Sequence, residues 1–95
     1  MIKININSYL GRLVNKCRMD VLEQYAQGET LMADIFRKLD IKQYSLIYVI
    51  TQEFKEYGIV EELESENKRI RKHIMTTKGL LIYEKIKELI KLIGE

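Results

Sequence analysis

Apolar positions along the chain fall into several distinct periods, and the points where the period changes mark the elements. Leu10, Leu13, Val14, Cys17, Val21, Leu22 and Tyr25 recur at steps of three and four, one stripe of a helix that starts near Ser8 and ends before Gly28. A break within it around Cys17 to Met19 is left open. Ahead of it Ile2, Ile4 and Ile6 alternate with polar residues, as a short strand or a packed arm would. Thr30 is placed to cap a second helix, in which Leu31, Ile35 and Leu39 stack at steps of four, widened by Met32 and Phe36. Asp40, Ile41 and Lys42 leave room only for a tight turn between helices. The next helix runs from about Gln43 to Tyr57 and turns Ile47, Ile50, Thr51 and Phe54 inward. Gly58 then stands where a helix needs a residue free to take positive φ, with Ile59 positioned to touch Phe54.

Beyond Gly58 the period shifts. "IVEELES" and "KRIRKHIMT" read as two strands joined through Ser65, Glu66 and Asn67. Thr76 can cap a last helix from about Thr77 to Ile93, where Ile82, Ile86, Leu89 and Ile93 repeat at four- and three-residue steps. Leu81, Ile90 and Leu92 add a second apolar strip. A terminal helix apolar on so many faces needs more cover than 95 residues provide, and a second copy of the chain would supply it.

Helix, helix, tight turn, helix, hairpin, helix is the order of a winged helix-turn-helix. The expected fold class is therefore α+β, mainly α, with a two-stranded wing over about 59–76 and a long C-terminal helix over about 77–93. All of 1–95 forms one domain, since there is no proline, no low-complexity stretch and no repeat to mark a linker.

The residues also resemble a family. "RMDVLEQYAQGETLMADIFRKLDI" is similar to the first two motif helices of MarR-type transcription regulators, and "SLIYVITQEFKEYGIV" to their third helix. "RKHIMTTKGLLIYEKI" resembles the second wing strand, the Leu-Thr-x-x-Gly-like opening and the dimerisation helix that follow. The resemblance covers roughly Arg18 to Ile90. It implies a homodimer that binds double-stranded DNA and regulates transcription, with Arg71 at the position of a wing arginine.

Elementary chemistry leads to the same partner. Gln43, Tyr44, Ser45, Tyr48 and Gln52 lie away from the inward face of the third helix and carry groups suited to base edges, phosphates or sugar. Lys68, Arg69, Arg71, Lys72 and His73 gather on the hairpin with no acidic residue among them, a concentration of cations suited to phosphate. Ile82, Ile86, Leu89 and Ile93 are the expected dimer interface.

Composition narrows these readings. The net charge of +2 is too small to signal a nucleic-acid binder, so the placement of charge must carry that inference. Hydrophobic residues at 46% suffice for a core. One cysteine, Cys17, forms no internal disulfide and fits a reducing cytoplasm as a small core residue. The N-terminus has no signal-like apolar region and no run is long enough to span a membrane. No phosphate loop, H-E-x-x-H pattern or nucleophile elbow points to an enzyme, and no His, Cys, Asp and Glu set at metal spacing points to a cofactor. No residues argue for a small-molecule effector. Two alternatives stay open. Leu46 and Val49 on the third helix, with Glu61, Glu62 and Glu64 on the first wing strand, favour a protein-interaction module. An architectural DNA binder with little sequence preference is the other.

Overall fold

The structure is a computed structural model that describes residues 6–39, 43–64 and 70–94, with side chains from Tyr9 onward. It contains α1 (Ile6–Leu13), α2 (Lys16–Ala26), β1 (Thr30–Leu31), α3 (Met32–Lys38), α4 (Tyr44–Glu56), β2 (Val60–Leu63), β3 (Lys72–Met75) and α5 (Thr77–Gly94). Residues 1–5, 40–42, 65–69 and 95, among them Lys68 and Arg69, lie outside the described residues.

The expected long first helix is two helices. α1 already includes Ile6, so Ser8 lies within it and is not its cap. The break falls ahead of Cys17: Asn15 is extended, and its side-chain oxygen accepts the Arg18 backbone N–H at 2.9 Å, which starts α2 afresh. Of the predicted stripe, Leu13, Val21, Leu22 and Tyr25 are buried, whereas Leu10 and Val14 are exposed. Cys17 is half-buried, packed against the core with a free thiol.

Thr30 does not cap α3 either. It belongs to β1, and its hydroxyl donates to the Gly28 carbonyl at 2.8 Å. Leu31 occupies the cap position without a side-chain bond. β1 pairs with β3, placing Thr30 opposite His73 and Leu31 opposite Lys72. The sheet is therefore three-stranded and antiparallel in the order β1-β3-β2, so that β2 and β3 form the two-stranded wing and β1 fastens its base to the helices.

α4 ends as its sequence dictates. Gly58 takes φ +70°, the Ile59 N–H bonds the Phe54 carbonyl at 2.8 Å, and the Gly58 N–H bonds the Lys55 carbonyl at 3.1 Å. These are the two bonds of a Schellman ending, and they turn the chain directly into β2. Thr76 caps α5, its hydroxyl oxygen accepting the Gly79 N–H at 2.9 Å. Gly79 packs against the backbone carbonyl of Ile59, in space that a Cβ would occupy.

Val21, Leu22, Tyr25, Met32, Ile35, Ile47, Ile50, Phe54 and Ile59 form the fully enclosed core. A polar bond joins two helices inside it: the hydroxyls of Tyr25 and Thr51 lie 2.7 Å apart. Burial pushes the Tyr25 phenol up to about 12, so it is neutral and able to donate across the ordinary pH range. At the edge of the core, Arg18 grips Glu53 with two bonds of 2.9 Å, fixing α2 across α4.

Candidate nucleic-acid interface

Four residues on successive turns, Ile47, Ile50, Thr51 and Phe54, hold α4 against the core. Helical spacing then points its other side outward. Gln43, Tyr44, Ser45 and Tyr48 are exposed and Gln52 is half-buried. Leu46 is 36% exposed and Val49 48%, so the outer side of α4 also carries branched apolar groups. Tyr44 leans edge-on against Phe36 of α3, ring centroids 5.5 Å apart, which orients it from the preceding helix.

The wing meets this face through Arg71. Side chains of alternate strand residues share a face, which groups Arg71 with His73 and Met75. His73 and Met75 point into the core, and Arg71, at the exposed end of that row, extends over α4. Its guanidinium lies over the Tyr48 ring, 5.5 Å from the centroid. Of the five basic candidates on the hairpin, Arg71 is thus the one that the described residues bring onto the outer face of α4. Lys72, half-buried on the opposite face, has its ammonium 3.9 Å from Glu29.

His73 departs from its expected place. Instead of joining the projecting cations, its side chain is fully buried, edge-on to Tyr25 at 5.8 Å between centroids. Neither ring nitrogen has a hydrogen-bond partner, and Nε2 is 3.5 Å from a Glu62 carboxylate oxygen. Burial lowers its pKa despite the opposing pull of Glu62, so the ring is neutral at pH 7 and presents no charge to a phosphate.

The acidic wing strand is partly neutralised by its neighbours. Glu62 accepts from the Lys55 ammonium at 3.1 Å, and this bond, with the Lys55 charge and Arg71 nearby, lowers the carboxyl pKa. Among the described residues, no group of three or more His, Cys, Asp or Glu side chains is placed to hold a metal. No helix of the described residues is long and apolar enough to cross a membrane.

The expected dimer face is divided. Ile86 is only 7% exposed and belongs to the core, and Ile82 is partly buried against it, because α5 must cover the domain before it can meet anything else. Leu89 and Ile93 remain exposed, together with Leu81, Ile90 and Leu92. An apolar groove of about 380 Å³ runs between α1 and α5, lined by Leu10, Leu81, Ile82, Lys85, Ile86 and Leu89.

Set beside known proteins, the sequence matches no family model and no curated protein. The architecture does match. A protein from Enterococcus faecalis V583 assigned as a transcriptional regulator of the MarR family superposes with a TM-score of 0.79, at 17% identity over 99% of this chain and 90% of that one. The Salmonella typhimurium protein ytfH, assigned as a transcriptional regulator, gives 0.78 at 14% identity, covering 97% and 83% of the two chains. A mutant MarR from E. coli, solved with operator DNA, gives 0.70 at 22% identity, covering 90% of this chain and 62% of that one. This chain thus has the winged-helix fold of MarR-type regulators.

Proposed function

We propose that the chain binds double-stranded DNA as a homodimer and regulates transcription. The observation that carries this reading is the continuous surface on which Arg71 of the wing lies over Tyr48 of α4, beside Tyr44, Ser45 and Val49. An α-helix about 10–12 Å across fits a major groove about 12 Å wide. With α4 in the groove, Gln43, Tyr44, Ser45, Tyr48 and Gln52 reach base edges and the flanking backbone. Arg71 meets phosphates or the adjacent minor groove, and Lys68 and Arg69, three and two positions before it in the sequence, add cations for the same backbone; Lys72, turned to the other face beside Glu29, does not take part. The superposition on a protein solved with operator DNA supports this reading.

The second copy joins through α5. Leu89 and Ile93, with Leu81, Ile90 and Leu92, are too extensively apolar for a surface left in water, and the α1–α5 groove continues that face. A two-fold axis through α5 would place the two α4 helices on half-sites about 34 Å apart, or a multiple of that. Selection from random duplexes tests the proposal: it should enrich two-fold-symmetric sites with that spacing. A bound pool with no shared sequence would identify an architectural binder. A chain that retains no duplex would favour the second reading, in which Leu46 and Val49 grip a protein partner.

A further inference from the structure

On the side of α4 opposite Ile47, Ile50 and Phe54 lie Ser45, Val49 and Gln52, spaced by four and three residues, the first two exposed and Gln52 half-buried. Val49 stands at the centre of this strip, 48% exposed. Guanine is most often read by an arginine or lysine that reaches its O6 and N7 acceptors. From Gln43 to Glu56 the sequence holds a single cation, Lys55, and its ammonium is bonded to Glu62 at 3.1 Å. Glu53, which could accept from a cytosine amine, is taken by Arg18. Glu56, exposed at the C-terminal end of α4, is the one carboxylate left on the outward side, two turns beyond Val49. Around Val49 itself the strip holds a branched aliphatic group, a hydroxyl and an amide. Thymine alone among the DNA bases projects a methyl group into the major groove, and an adenine N6–N7 edge is matched by a side-chain amide.

We infer that Val49 is a specificity-determining residue that packs on thymine methyl groups, so that the major-groove segment under α4 is preferentially A·T. The inference rests on the DNA-binding reading above and gives it a base class. Its energetic basis is apolar burial. Removing one methyl from water against Val49 corresponds to roughly a fourfold change in affinity.

Deoxyuridine isolates that contact, because it deletes the methyl while retaining the pairing and phosphate charge. Fluorescence-anisotropy titrations would use an alternating A·T duplex, the same duplex with deoxyuridine for thymidine, and a G·C duplex of equal length. The wild-type chain should bind the thymine duplex most tightly and weaken about fourfold per missing methyl on the uracil duplex. Val49→Ala should bind the thymine duplex more weakly and discriminate little between the two. Val49→Ile should keep the preference, and Arg71→Ala should weaken both duplexes while leaving their ratio intact. Equal wild-type binding of thymine and uracil duplexes, or a ratio unchanged in Val49→Ala, overturns the assignment while DNA binding itself stands. Tightest binding to the G·C duplex overturns it too. If no duplex is bound even at low salt, the DNA reading falls and the thymine assignment falls with it.

Discussion

Arg71 lies over the ring of Tyr48 with 5.5 Å between its guanidinium carbon and the ring centroid, joining the wing to the exposed side of α4. An exposed contact of this kind contributes about 0.5–1 kcal/mol. That is too little to hold the fold together, but enough to favour one arginine position on the wing.

Tyr48→Ala should therefore change DNA affinity and site preference while moving the melting temperature by only a few degrees. Tyr48→Phe keeps the ring face and should retain the wing contact. Thermal melting alongside binding per folded molecule checks this. A large loss of stability with normal binding would make Tyr48 a packing residue.

Acid sensitivity follows from His73. Its folded pKa is lowered from 6.5, chiefly by burial, while Lys55 and Arg71 push the same way and Glu62 opposes them. The unfolded chain then takes up a proton that the folded chain resists. Stability from this group is complete above about pH 6.5 and falls as the pH drops toward the folded pKa, by at most about 1.4 kcal/mol per pH unit. Denaturant titrations between pH 7.5 and 5 should show that decline, and His73→Met should remove it. A flat wild-type profile would contradict the buried neutral ring.

Gly79→Ala should be costly, because the new methyl would overlap the Ile59 carbonyl. Moving α5 away from the start of the wing should cost about 2–3 kcal/mol and lower the melting temperature by roughly 10–20 °C. Thr76→Ala, which removes the cap on the Gly79 N–H, should cost about 1 kcal/mol. Melting curves decide both.

Within α5, two positions of one stripe should behave differently. Leu89→Asp with Ile93→Asp should yield monomers that keep their helical circular dichroism. Ile86→Asp should unfold the chain, since that side chain lies in the core. Sedimentation of the first variant as a dimer would place the interface elsewhere.

Locally determined features were legible in the sequence: the Schellman ending at Gly58 and the Thr76 cap each depend on a few neighbouring residues. Features decided by distant partners were not. β1 is two residues long and exists because β3 pairs with it, so Thr30 looked like a helix cap. Asn15 restarts the first helix without a capping-box glutamate, and Leu13, Val21 and Leu22 are buried on both sides of the break, which disguised it. The two faces of β3 read Arg-His-Met and Ile-Lys-Ile, and that alternation does not say which is inside. Its assembly against Tyr25 buries His73 and leaves Ile74 half-exposed. Likewise, the α5 stripe cannot reveal from its own spacing that Ile86 serves the core while Leu89 and Ile93 are left outside.

A salt titration of binding to a mixed-sequence duplex tests the central claim most directly. The logarithm of the association constant should fall linearly with the logarithm of salt concentration, with a slope near −0.9 for each phosphate neutralised. In Arg71→Ala that slope should flatten by about one for each phosphate the arginine no longer reaches. No binding at about 50 mM salt, or binding whose strength ignores salt, would contradict the account.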